Sequence, residues 1–207
     1  MDPLTPRYRS SMPAHDVYTL PVDLPVPEDD GACDHLPGRS LPDIELSDSD
    51  GRPVHLARLP GLTVLFVYPA MGPPDREPVG GIDAWNAIPG ARGCTPQACA
   101  YRDHHPELLA RGVRLIGLSA QPAAEQREAA TRLGLPFTLV SDAGLSFARR
   151  LGLPTLSFSG GVLLRRVTLV IQDGRIEHVF YPVFPPDRDA ERVVEWLSRR
   201  DGGSRAD

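Results

Sequence analysis

Two cysteines in the stretch IPGARGCTPQACAYRD, residues 88–103, carry the chemistry this sequence offers. Cys94 follows a glycine-rich turn and stands where a helical pattern begins; Cys99 lies five residues further on. A cysteine at a helix start meets unpaired backbone N–H groups and the positive end of the helix dipole, and both favour the thiolate. Spacing then limits what the pair can do. Five residues of helix rise about 7.5 Å and turn about 140°, whereas a disulfide needs Cα atoms within about 7 Å. A static staple therefore needs a non-helical segment, and a redox pair needs a segment that unwinds and rewinds. Zinc wants four ligands. His104 and His105 lie nearby, but helix phase does not gather all four groups, so they read as solvated or capping residues. Two inert buried thiols are a further reading, because cysteine packs as a small hydrophobe. The glycine-rich turn lacks the spacing of a phosphate loop. Of these readings the residues favour redox work, with metal binding and inert packing left open.

Something must hold that helix start in place. LTVLFVYP, residues 62–69, is a near-continuous apolar run rich in β-branched residues and reads as a buried central strand. Before it, LPDIELSDSDGRPVHL reads as two short strands around an Asp-Gly turn. After it comes a long loop, 70–93, rich in Pro and Gly; loops of that length in a compact domain are usually functional or mobile. Helix is expected from Thr95 to Ala110, strand at 113–119, and helix again over PAAEQREAATRLG, with Pro at its start and Gly at its end. PFTLVSD reads as a strand and GLSFARRLG as a short helix. RRVTLVIQDGRIEHVFYP, 165–182, is a hairpin turning at Asp173-Gly174. DRDAERVVEWLSRR is an amphipathic helix with Val193, Val194 and Leu197 facing the sheet. Strands alternating with helices give an α/β sandwich, and the first strand–turn–helix crossover carries Cys94, where ligand chemistry of open α/β sheets gathers.

Composition bounds the rest. The chain has 207 residues, 41% hydrophobic and 24% charged, with a net charge of −5, enough for one domain with a good core. The acidic balance argues against a general nucleic-acid or anionic-membrane binder. No apolar run is long enough to span a membrane, and no secretory leader is apparent, so a cytoplasmic location is expected. Every basic residue besides histidine is arginine. Three cysteines in a chain this long are not a disulfide scaffold. Residues 1–38, rich in proline and acids, are expected as an extended or disordered N-terminal arm, either free or packed on the body, with Cys33 a bystander thiol. The folded domain is expected over 39–200 and a frayed tail over 201–207.

The segment GCTPQACAYRD resembles the active-site segment of peroxiredoxins of the bacterioferritin-comigratory-protein, or peroxiredoxin Q, type. There a Pro-Gly-Cys-Thr-x-x-x-Cys run opens a helix and Phe/Tyr-Arg-Asp follows. The likeness extends over roughly residues 38–198. It takes in the opening hairpin, the strand VLFVYP, and RRVTLVIQDGRIEHVF with its Arg-x-Thr-aliphatic pattern. The resemblance implies a thioredoxin fold, a central mixed β-sheet flanked by helices. It implies a thiol-dependent peroxidase acting on hydrogen peroxide or organic hydroperoxides, without metal or cofactor. An intramolecular disulfide would be recycled by thioredoxin or a similar dithiol, in a monomer or homodimer.

Carried over by position, Cys94 matches the peroxidatic cysteine, Cys99 the resolving cysteine, and Arg166 the arginine that binds peroxide and holds the thiolate. Arg165 falls on the opposite strand face. Two departures stand out. Ala91 replaces the family's threonine three residues before the peroxidatic cysteine, removing a hydroxyl that Thr95 would have to supply. Pro69 occupies the Tyr-Pro position but stands 25 residues before Cys94, farther than the family pattern has it. The loop with Trp85 and Pro89 is therefore an insertion, and Pro89 is expected to shield the pocket in place of Pro69. Gly93 and Tyr68 complete the expected substrate-binding set, and Gln97 is a further hydrogen-bonding candidate. The missing hydroxyl also admits a different class of function, a peroxide-responsive sensor or binding protein with weak turnover.

Overall fold

The computed structural model describes residues 16–203. Seven strands form one sheet in the order β2-β1-β5-β4-β3-β8-β9. β1 is Glu45–Asp48, β2 Pro53–His55, β3 Leu62–Val67, β4 Arg114–Ser119, β5 Thr138–Ser141, β8 Val167–Gln172 and β9 Arg175–Phe180. β3, β4 and β5 run parallel, while β8 lies antiparallel to β3 and β1 antiparallel to β5. The helices are α1 Ile82–Asn86, α2 Cys94–Ala110, α3 Ala123–Leu133, α4 Ser146–Leu151 and α5 Asp189–Gly203. The sheet is mixed and flanked by helices, as the sequence led one to expect.

The apolar run of β3 explains why it sits at the centre. Strand side chains alternate between faces. Val64 and Phe66 face a core shared with α2, α3 and α5, and Leu65 and Val67 face a second core that includes α4. A strand buried on both faces is apolar at nearly every position, Thr63 being the exception here. The hairpin from β8 to β9 turns where expected: Asp173 and Gly174 both take positive φ, 48° and 76°, which a two-residue turn of this hand requires. The Asp173 carboxylate also accepts the Gly61 N–H at 2.7 Å.

Residues 16–38 of the arm have no helix or strand and pack on the body, with Val17, Cys33 and Leu36 buried; residues 1–15 lie outside the described residues. Three features differ from the sequence reading. The expected loop 70–93 contains α1. A second, two-stranded sheet, β6 (Thr155–Phe158) with β7 (Gly161–Leu164), had no counterpart among the expected elements. Finally, α5 continues through Asp201 to Gly203, so the expected tail begins later; 204–207 lie outside the described residues.

Candidate functional site

The site is assembled at the carboxyl end of β3. The chain leaves β3, makes its long excursion, and returns as the first turn of α2. Cys94 is the first residue of that helix, one earlier than the sequence pattern suggested. Gly93 caps it with φ 103°, a backbone shape that side chains other than hydrogen resist. Space is also short: a Cβ there would stand 2.4 Å from Pro186 Cγ and 2.7 Å from Leu20 Cδ2. Gly93→Ala is therefore expected to lower stability by about 3 kcal/mol, backbone strain and overpacking together. A shift in the urea midpoint under about 0.5 kcal/mol would show that the turn relaxes freely.

β8 supplies the partner from far along the chain. Val167 pairs with Val67 in antiparallel register, so the residue just before β8 lies beside the end of β3. That residue is Arg166, and it is buried. Its Nη2 stands 3.2 Å from Cys94 Sγ and donates at 3.3 Å to the carbonyls of Ala91 and Arg92. Its Nη1 donates to Gln97 Oε1. Arg165 goes the other way, donating to Asp30 at 2.7 Å and to the Tyr181 hydroxyl at 3.2 Å. The alternation expected of the two arginines is what separates them.

Gln97 continues inward. Its Nε2 donates to Asp189 Oδ2 at 2.7 Å, and the same oxygen accepts from Tyr101 at 2.8 Å and Thr168 at 2.7 Å. Asp189 is completely buried. Burial pushes its pKa up, against the pull of Thr168, Gln97, Tyr101 and Arg166. The sequence reading singled out Gln97 but not Asp189, whose place at the head of an amphipathic helix looked like an ordinary acidic first turn.

Cys94 lines a cleft of about 560 Å³ together with Arg92, Gly93 and Thr95, and Trp85 and Phe158 form part of its wall. Trp85 packs edge-on against Phe158, centroids 4.9 Å apart, so the inserted loop and the β6–β7 hairpin close one side jointly. Arg92 was also missed. It is buried, donates to the carbonyl of Asp16, and burial lowers its basicity while Cys94 and Asp16 pull the other way. The signal was in the sequence, since an arginine stands where the family pattern Pro-Gly-Cys has its proline.

Two expectations are corrected. Pro89 does not line the Cys94 cleft. It lines a separate cleft of about 370 Å³ bounded by Arg165, Arg166 and Tyr181, because the turn Ile88–Ala91 carries it past the helix start. Tyr68 offers no hydrogen bond to the pocket. Its ring is fully buried in the core with Cys94, and its hydroxyl has no partner among the described residues. Thr95 and Gly93 do lie at the cleft, though the Thr95 hydroxyl has no hydrogen bond to Cys94. At the Ala91 position it is the backbone carbonyl that meets Cys94, accepting from the thiol at 3.6 Å.

Cys99 lies on the same unbroken helix, half-buried, with its thiol's acidity weakened mainly by burial. Both thiols are free. Cys33 is also free, but it belongs to the core on the other side of the sheet, and burial with nearby Asp30 pushes its thiol up to about 12. His104 faces Glu107 at 3.8 Å and His105 lies against Phe137.

Comparison with known proteins agrees with this geometry. Residues 36–194 match the Redoxin family. The chloroplastic peroxiredoxin Q of Oryza sativa subsp. japonica is 33% identical over 162 residues, covering 77% of this chain and 65% of the rice protein. That of Sedum lineare is 31% identical over 162 residues, covering 77% of this chain and 76% of its own length. Among solved structures, peroxidoxin BcpB from Mycobacterium tuberculosis superposes with a TM-score of 0.63 at 28% identity, covering 80% of this chain and 98% of that one. The chain thus spans 65% of the length of its rice relatives. The fold is the thioredoxin fold. Because the matched span takes in both sides of the Cys94–Arg166 contact, the likeness first read from GCTPQACAYRD holds across the whole sheet, and the chain belongs to the Redoxin family as a peroxiredoxin of the Q type.

Proposed function

We propose that this chain is a thiol-dependent peroxidase that reduces hydrogen peroxide or organic hydroperoxides. The observation that carries the reading is the 3.2 Å contact between Arg166 Nη2 and Cys94 Sγ at the head of α2. A fixed guanidinium and a helix start both favour the thiolate, and both remain in place as charge develops on the peroxide. The Cys94 thiolate attacks the terminal peroxide oxygen. The O–O bond breaks, and the leaving oxygen takes a proton and departs as water or alcohol. Cys94 is left as sulfenic acid.

Cys99 then resolves the sulfenic acid. On intact α2 it is out of reach and poorly acidic. Unwinding the first turn exposes it and brings it to Cys94. Its sulfur displaces hydroxide, which leaves as water, and a disulfide forms. Thioredoxin or a similar external dithiol reopens the bridge by exchange. Among the described residues no helix is long and apolar enough to cross a membrane; a cytoplasmic location and a monomer or homodimer complete the proposal. The sensor alternative is not favoured, since Arg166 stands against Cys94 despite the loss of the hydroxyl at Ala91.

The test is a stopped-flow titration of reduced protein with hydrogen peroxide and with cumene hydroperoxide, followed by disulfide mapping. A fast reaction that ends in a Cys94–Cys99 bridge, reopened by thioredoxin, is expected. In Cys99→Ser the first oxidation should stay within about twofold, while steady turnover falls to background and sulfinic acid accumulates at Cys94. Steady turnover that survives in the Cys94→Ser, Cys99→Ser double variant would overturn the assignment.

A further inference from the structure

Arg166 is a buried cation, and among the described residues no carboxylate forms an ion pair with it. A buried charge without a counter-charge is costly, so the structure must compensate it elsewhere. The hydrogen bonds lead to one place. Arginine can only donate, so the Gln97 atom facing it is the amide oxygen. The Gln97 nitrogen must then face Asp189, and it donates to Oδ2. Tyr101 and Thr168 donate to that same oxygen. Asp189 Oδ1 has no partner among the described residues. Gln97 Nε2 can only donate and both hydroxyls can donate as well, so three donors converge on Oδ2, an arrangement that suits a carboxylate.

We propose that Asp189 is the buried counter-ion of Arg166, wired to it through Gln97, and that it competes with the Cys94 thiolate for that one guanidinium. Cys94 also has Arg92 beside it, but Arg166 is the cation that both anions use, so the ionisation of either opposes the ionisation of the other. Asp189 is then a positioning residue that sets the pH range in which Cys94 reacts. The groups facing it are Gln97 and Tyr101 from α2 and Arg166 and Thr168 from the β8 side. Next to it in the chain, Arg188 just before α5 and Glu191 on α5 pair with each other. Burial opposes the Asp189 charge.

The proposal deepens the function above, but its test needs only that Cys94 react as a thiolate. Alkylation of Cys94 by iodoacetamide is followed across pH by peptide mass, in the native chain and in Asp189→Asn. Asparagine keeps an oxygen for the three donors and puts its nitrogen at the unpartnered Oδ1 position. The alkylation midpoint is expected to fall by about half a pH unit to one unit, because the competing anion is gone. Tyr101→Phe, which removes one donor from the carboxylate, should move it the same way by less. A merely structural lesion would release Arg166 and move the midpoint up. A midpoint that stays put or rises in Asp189→Asn overturns the proposal. If that variant does not fold, the direction of the Tyr101→Phe shift decides. Alkylation shifts without peroxide turnover would sink the peroxidase reading and leave this one standing.

Discussion

Cys94→Ser is expected to abolish peroxide reduction while leaving the fold intact. A serine hydroxyl is not a nucleophile near neutral pH without a strong base, and its oxygen cannot be raised to a sulfenic acid equivalent. The substitution is nearly isosteric at a buried position, and the hydroxyl can still face Arg166, so unfolding should move by no more than about 1 kcal/mol. Consumption of peroxide by the purified variant, measured against buffer alone, is the check. Residual turnover above a few percent of the native rate would mean that Cys99 or Cys33 can act alone, and the assignment of Cys94 would fail.

The second large effect is at Arg166. Arg166→Ala removes the donor to Sγ and also the donor to three oxygens: Gln97 Oε1 and the carbonyls of Ala91 and Arg92. Loss of one fixed donor to developing charge typically costs about 10²–10³ in rate, and that is the loss expected in the second-order oxidation of Cys94. The orphaned oxygens should add a stability cost of about 2–4 kcal/mol. Arg166→Lys keeps a charge but cannot span these acceptors, since an ammonium lacks the planar fork; it should recover stability better than rate. Stopped-flow oxidation at saturating reduction reads the first effect and urea unfolding the second. An oxidation rate within tenfold of native in Arg166→Ala would remove the arginine from the mechanism.

Much of this was legible in the sequence where apolar pattern and burial coincide. β3 and β8 are apolar at nearly every position because both faces are covered, and no other reading fits so short and continuous a run. The β6–β7 hairpin was not legible. TLSFSGGVLL is short, half exposed and interrupted by Ser and Gly, and it is held by the Trp85–Phe158 contact with a loop 73 residues away. Cys94 announced itself through the helix start. Arg166 was reached only by resemblance, since nothing in RRV marks one arginine as buried. Asp189 and Arg92 escaped for a different reason, although the departure from Pro-Gly-Cys already marked Arg92. An acid at a helix start and an arginine in a polar loop are ordinary, and only packing against α2 and the arm made them interior. Pro89 was misplaced because an insertion of that length gives no sequence rule for which of its prolines returns to the pocket.

The seven-stranded sheet also sorts the three thiols. Cys94 and Cys99 belong to one core and Cys33 to the other, with β3 and its neighbours between them. A protein that cycles its cysteines through oxidised states runs a standing risk of wrong pairing, and here the partition keeps Cys33 away for as long as the arm stays docked. A bridge from Cys33 to either of the others first requires the arm to leave the body. Such a bridge therefore records the release of residues 16–38 rather than a wayward catalytic cycle.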